Sequence, residues 1–290
     1  MAVINEIADA ASNIGTAYSF APGDTFRGEI EFPGDRDWLR AELEAGLGYY
    51  WTQRGDVSVD RLSSGRLRLW DEAGAAELRD SGSRARDTVV IAIDPTSDRR
   101  VYVDATGLFD SSTYVGSYDL RFFSEISSNI LTRERPEIDE IAVTSIDYYG
   151  DKDWFEFDIE AGYGYYFVQT GVTSADRLPG GRLIIRDEAG AVTLAETGST
   201  GRETAIAAIN PTEDRTVYVE AGGRNLNTST NAVGDYEFVA RREIAANILT
   251  REEPDIDEVI STSIDYFCDE DWFKFDVEAG YGYYFVQAAA

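Results

Sequence analysis

Short runs in which apolar and polar residues alternate recur along the chain, punctuated by Gly, Pro, Asn and Asp. A period of two puts successive side chains on opposite faces of an extended strand. In DWFEFDIE (153–160), Phe155, Phe157 and Ile159 fall on one side and Glu156, Asp158 and Glu160 on the other. The first three are therefore predicted to face a core and the three acids to face water. The same reading predicts strands over 139–146, 153–160, 164–170, 182–187, 191–196, 203–209, 215–221 and 235–241. The two DEAG tetrapeptides, 71–74 and 187–190, read as hairpin turns in which Asp accepts nearby backbone N–H groups and Gly supplies positive φ. Gly162 and Gly164 bracket Tyr163 where the chain must reverse. No long 3.6-residue period competes, so helix is predicted to be sparse, with one short helical turn in NILTRERPEIDE (129–140).

Self-comparison extends this pattern into a domain-sized repeat. Residues 125–169 recur at 243–287 with 33 of 45 positions identical. A weaker earlier copy aligns FPGDRDWLRAELEAGLGYYWTQRG (32–55) with the second, so that Trp38, Trp154 and Trp272 lie 116 and 118 residues apart. The later parts of the first two copies also match: GRLRLWDEAGAAEL with GRLIIRDEAGAVTL, and IDPTSDRRVYVDA with INPTEDRTVYVEA. The predicted organisation is a β-sandwich at 1–124, a second at 125–242, and the truncated start of a third at 243–290. Such a start cannot close its own core. The expectation is that the chain belongs to a longer tandem array, with the fragment disordered or paired with another molecule as alternatives.

Composition then removes whole classes of chemistry. The chain of 290 residues has no His, one Cys and one Met. Without imidazole, Ser-His-Asp and Cys-His nucleophiles and the common zinc sites lose a required group. Cys268 alone can form neither an intrachain disulfide nor a multi-cysteine metal site. With 26 Lys plus Arg against 54 Asp plus Glu, the formal net charge is −28. That charge repels nucleic acid and anionic membranes, so neither is an expected partner. Only Lys152 and Lys274 are lysines, and an acidic, lysine-poor surface suits high salt or a calcium-containing extracellular medium as well as simple solubility. No apolar run is long enough to cross a membrane as a helix, and the first residues lack a signal peptide's basic and apolar regions.

Acids cluster just before each tryptophan strand: Asp35 and Asp37; Asp147, Asp151 and Asp153; Asp265, Asp269 and Asp271. Calcium takes six to eight oxygen ligands, and closely spaced carboxylates on a turn supply several at once, which makes these eight residues the candidate metal ligands. Ordinary turn chemistry, with Asp accepting backbone N–H groups, is the competing reading. A second acidic group, Glu137, Asp139 and Glu140 with its counterpart Asp255, Asp257 and Glu258, is either a calcium clamp between linker and domain or a solvated charged linker. Tyr163, Tyr165 and Tyr166 are candidate ligand-binding residues, since exposed tyrosines stack on sugar rings or extended chains; completing the core is their alternative role. No catalytic residue is expected, because any acid pair among 54 is uninformative and neither copy carries a cleft-forming insertion.

The Gly-Asp-x-Asp-Trp-Phe-x-Phe start, the Ala-Gly turn before an aromatic strand, the D-x-x-G hairpin, the P-x-x-D-x-x-V-Y-V strand and the closing G-D-Y-x-F strand together resemble the bacterial pre-peptidase C-terminal domain family. The resemblance covers about 12–124 and 128–242, with a partial copy from 246. Copy one departs at Leu39 and Ala41, and copy three at Cys268, which stands where copy two has Gly150. The resemblance implies an all-β, jelly-roll-like, non-catalytic sandwich of a secreted or cell-surface bacterial protein, serving binding, spacing or stabilisation, with calcium in some members. The implied partners are a polysaccharide or extracellular protein and neighbouring repeats of a longer chain. The alternative is an accessory region that targets an extracellular hydrolase to an insoluble substrate.

Overall fold

The computed structural model describes residues 1–82, 88–109, 112–197, 204–224, 232–266 and 268–288. They fall into two compact units, Met1–Glu134 with Gly150–Phe155, and Arg135–Tyr149 with Glu156–Ala290. Seventeen strands and one 3-10 turn, Ser112–Tyr114, make up the regular structure, and among the described residues no helix is long and apolar enough to cross a membrane.

The first sandwich is built from β1 (Val3–Asn5), β2 (Thr25–Ile30), β3 (Arg36–Leu43), β4 (Leu47–Gly55), β5 (Gly65–Trp70), β6 (Glu77–Asp80), β7 (Thr88–Ile93), β8 (Arg99–Gly107) and β9 (Gly116–Ile126). One sheet has the order β1-β2-β9-β4-β7 and the other β3-β8-β5-β6. Without β1, the eight strands distribute between the two sheets in the order of a jelly roll. Alternating residues from both sheets meet between them: Phe26, Leu39, Trp51, Leu67, Leu69, Val103 and Phe122 are fully enclosed. Leu39 and Ala41, the positions where this copy lacks aromatics, are core residues all the same. Trp51, in the place of the second copy's Phe167, makes up part of the missing volume and stacks on Phe122 at 4.5 Å.

The second sandwich repeats the plan with β10 (Ile141–Ile146), β11 (Lys152–Ile159), β12 (Tyr163–Gly171), β13 (Gly181–Arg186), β14 (Thr193–Glu196), β15 (Thr204–Ile209), β16 (Arg215–Gly223) and β17 (Gly234–Ile244). Its sheets run β10-β17-β12-β15 and β11-β16-β13-β14, the same order, and among the described residues no strand stands in the place of β1. Each predicted strand is present, most within two residues of the expected ends; residue 203 lies outside the described residues. Phe155, Phe157 and Ile159 are buried as predicted. Asp158 and Glu160 are exposed as predicted, but Glu156, expected to face water, is only 9 % exposed and pairs with Arg135 at 2.7 Å.

The DEAG turns form as expected. Asp71 Oδ1 accepts from the amides of Ala75 and Ala76, and Asp187 Oδ1 from those of Ala191 and Val192, which holds both carboxyl groups below the ordinary aspartate value. Gly74 and Gly190 take φ of 65° and 68°. The predicted helical turn at 129–140 is absent. Asn129 Oδ1 accepts from the Leu131 amide and Thr132 Oγ1 from the Glu134 amide, so side chains satisfy the donors a helix would use, and Pro136 offers none. Beyond β17, the described residues of 245–288 form no strand at all.

Candidate functional site

In the first unit, acids converge at the entrance to β3. Asp35 closes the turn there: its Oδ2 accepts from the Glu31 amide at 3.0 Å and its Oδ1 from the Arg36 amide at 2.8 Å. Asp37 follows, fully buried, and Tyr118 donates its hydroxyl to Oδ2 at 2.6 Å. Oδ1 of Asp37 has no hydrogen-bond partner. The segment leading into the sandwich adds Glu6, which accepts from the amides of Ala10 and Glu29, and the exposed Asp9. Two groups of three carboxylates result, each able to place one oxygen apiece within 4.8 Å of the others: Glu6, Asp9 and Asp37, and Asp9, Glu31 and Asp35. Asp9 is common to both.

Electrostatics show the strain in this arrangement. Burial pushes the Asp37 carboxyl up to about 9, and the nearby charges of Glu6, Asp35 and Glu31 raise it further. Glu31 is pushed up to about 8 by burial and by its neighbour Asp35, and Glu6 is raised by burial. Asp35 and Asp37 are buried and Glu6 half-buried, whereas Asp9 and Glu31 are exposed, so the crowding is relieved by a proton or a shared cation chiefly at Asp37. The donor set is all oxygen, which fits a hard cation such as calcium.

The second unit carries a similar group at the end of β17. Glu243, Asp265 and Asp269 can each place an oxygen within 4.8 Å of the others. Asp269, 9 % exposed, accepts from the Asp265 amide through Oδ2 at 2.7 Å, while its Oδ1 is unpartnered. Tyr266 donates to Glu243 Oε1 at 2.8 Å and leaves Oε2 without a partner. Burial raises Glu243 to about 7, with Asp269, Asp265 and Asp271 adding to the rise. Ser263 donates to Asp265, and Thr262 donates to Asp271, whose carboxyl is raised by burial.

The remaining acids expected as ligands are Asp147, Asp151 and Asp153. Asp147 accepts from Ser145 and is raised by burial; Asp151 is buried and accepts from the Lys152 amide; Asp153 is buried. The second acidic group is partly engaged within the chain. Glu140 and Glu258 accept from the amides of Glu137 and Asp255, and Asp139 accepts from Arg241. Three of the six carboxylates are thus engaged by turn amides and an arginine.

Four participants escaped the reading of the sequence: Glu6, Asp9, Glu31 and Glu243. A signal for three of them was present. Offsets of 116 and 118 residues carry Asp9 onto Glu125 and Glu243, Glu31 onto Asp147 and Asp265, and Asp35 onto Asp151 and Asp269, so an acid stands at all nine positions. Glu6 has no such counterpart, since Phe122 stands at its place in the second copy.

Of the three tyrosines, one is buried and two are half-exposed. Tyr165 is 2 % exposed and its hydroxyl accepts from the Glu160 amide, so it belongs to the core and cannot stack on a ligand without opening the sandwich. Tyr163 lies between the guanidinium groups of Arg242 and Arg251, 4.4 and 4.6 Å from its ring centre. Tyr166 packs on Tyr266 at 5.6 Å.

No protein-family model matches the sequence, and no curated protein is similar to it. Solved structures that resemble it include the pre-peptidase C-terminal domain of a collagenase from Bacillus anthracis, at 10 % identity and a TM-score of 0.28 over 36 % of this chain and 92 % of that one. A putative secreted protein from Eubacterium rectale is similar at 8 % identity and a TM-score of 0.24 over 76 % of this chain and 74 % of that one. The CUB1-EGF-CUB2 region of human MASP-1/3 is similar at 10 % identity and a TM-score of 0.21 over 74 % of this chain and 99 % of that one. These distant likenesses assign no function to the chain.

Proposed function

We propose that this chain is a non-catalytic pair of β-sandwich modules from a secreted or cell-surface protein, and that calcium at the carboxylate groups fastens the segment leading into a sandwich onto its body. The observation that carries the reading is Asp37: fully buried, with one oxygen unpartnered, and surrounded by Glu6, Asp9, Glu31 and Asp35. Glu6 and Asp9 lie in the leading segment, whereas Asp35 and Asp37 open β3, so a shared cation ties residues that are far apart in sequence. The order of motifs resembling the pre-peptidase C-terminal family supports an extracellular setting, where calcium is abundant. A module of this kind serves as a stiff spacer or holder whose shape depends on the ion.

Thermal unfolding in millimolar calcium, in magnesium, and in sodium chloride of equal ionic strength tests the proposal. Calcium at about 100 times its Kd adds about 2.7 kcal/mol of stability, a rise of several degrees in Tm. Magnesium, which requires a tighter octahedral shell, adds less. Superimposable melts in the three salts would refute the calcium reading.

A further inference from the structure

The two sandwiches differ at one edge. In the first, β1 covers the outer edge of β2 in parallel, pairing Val3 with Thr25, Ile4 with Phe26 and Asn5 with Arg27. In the second, the equivalent strand β10 is the outermost of its sheet, and among the described residues nothing pairs with its free edge. The residues that align with β1, 119–121, lie inside β9, where they pair with β2 and β4, so the chain preceding β10 has no strand to spare for it. Natural sheets usually protect such an edge with charge, proline or a covering element. Here the outward positions are apolar: Ile141 is 56 % exposed and Val143 67 %, where β2 has Thr25 and Arg27. On the inward side β10 has the small, half-exposed Ala142 in the place of the fully buried Phe26.

We infer that the free edge of β10 is a docking site for the β1 segment of a second copy of this chain. Val3, Ile4 and Asn5 would lie parallel to Ile141, Ala142 and Val143 in the register that β1 already adopts on β2. The chemistry favours this occupant. Ile4, which packs against the edge of its own core, would seat over Ala142, where the core side is open. Val3, 55 % exposed at home beside Thr25, would gain an apolar neighbour in Ile141. Donor edge and acceptor edge are different surfaces, so the contact either propagates head-to-tail into chains of molecules or closes by reciprocal exchange between two copies. Three features oppose it. β1 gives up the same three pairs on its own β2. Copies of charge −28 repel, so association strengthens as salt shortens the Debye length from about 8 Å at 0.15 M. Glu6 directly follows β1, so a cation bound with Asp9 and Asp37 would hold β1 at home.

Disulfide trapping in excess chelator and 0.5 M sodium chloride tests the docking independently of calcium. In a Cys268→Ser background, Asn5→Cys with Val143→Cys places the two thiols at paired positions only when β1 of one molecule lies on β10 of another. Asn5→Cys with Val192→Cys, at an exposed position away from β10, is the control for random collision. The expected result is covalent dimers and longer species forming at least tenfold faster in the first variant than in the control. Association of the wild-type chain by sedimentation velocity should rise with salt and vanish in Val143→Lys. Equal cross-linking rates in the two cysteine variants would overturn the proposal, as would wild-type association that Val143→Lys leaves intact, which would place the contact elsewhere. Suppression of cross-linking by calcium is a separate readout: its absence would count against the calcium reading and leave the docking untouched.

Discussion

Residues 125–169 and 243–287 share 33 of 45 residues, yet the first contains three strands beyond the end of β9 and the second, where described after Ile244, contains none. The difference separates what a local sequence does alone from what it does in company. Hydrogen bonds between near neighbours form in both. Asn129 and Asn247 accept from the amides two residues on, Thr132 and Thr250 do the same, and Tyr165 and Tyr283 accept from the amides of Glu160 and Glu278. Asp139 and Asp257 take φ of 70° and 72°. The ladders form once only. β12 is flanked by β15 and β17, which come from 204–244, and no second pair of such strands lies beside 281–288 among the described residues. Phe167 is accordingly enclosed while its twin Phe285 is 66 % exposed and touches Phe275 at 4.6 Å.

The sharpest way to break this comparison is to cut the same ring from both copies. Phe167→Ala should cost the second sandwich about 3–5 kcal/mol in urea unfolding. Phe285→Ala should stay within about 0.5 kcal/mol. If Phe167→Ala prevents folding, Phe167→Leu, costing roughly 1 kcal/mol, keeps the contrast measurable. Equal losses at the two positions would mean that the third copy has a packed core of its own.

A smaller effect tests the acids. The folded value of Asp37 is raised to about 9, far above that of an unfolded aspartate near 4, so the folded protein holds the extra proton. Its contribution to stability is therefore fully present below about pH 4 and is lost as pH rises toward 9. In chelator, Asp37→Asn should flatten this decline and gain about 1–2 kcal/mol at pH 8, since the amide oxygen still accepts from Tyr118. The same variant should lose the gain from calcium in the first sandwich. A pH profile unchanged by Asp37→Asn would show that the proton resides elsewhere.

The smallest expected effect concerns one backbone angle. Gly150 has φ of 88° with open space around it, and Cys268 holds the same position in the third copy at φ 68°. Gly150→Cys should cost about 1 kcal/mol from the left-handed backbone alone, whereas Cys268→Gly should leave the melt of the second sandwich unmoved. Comparable shifts from both would show that 268 belongs to the cooperative fold.

Much of the fold is legible because alternation is local: DWFEFDIE names its inward residues wherever it folds, and DEAG carries its own hydrogen bonds. For Glu156, alternation identifies the side of the strand and not what covers it; Arg135, 21 positions earlier, does so. For Tyr165 the sequence leaves a ligand-binding and a core role open, because two faces of an aromatic strand look alike until the opposing sheet is in place. The acid groups were half legible. Asp35 and Asp37 stand together at the entrance to β3, but Glu6 and Asp9 join them only when the leading segment folds onto the sandwich.

The sequence by itself determined the all-β class, the module length, the strand positions and the turns, because each depends on residues within a few positions of one another. Tertiary structure alone decided which of two nearly identical segments becomes a sheet, which edge is left open, and which carboxylates meet. Those outcomes require partners tens of residues away, and an extended strand, unlike a helix, cannot satisfy its backbone hydrogen bonds without them.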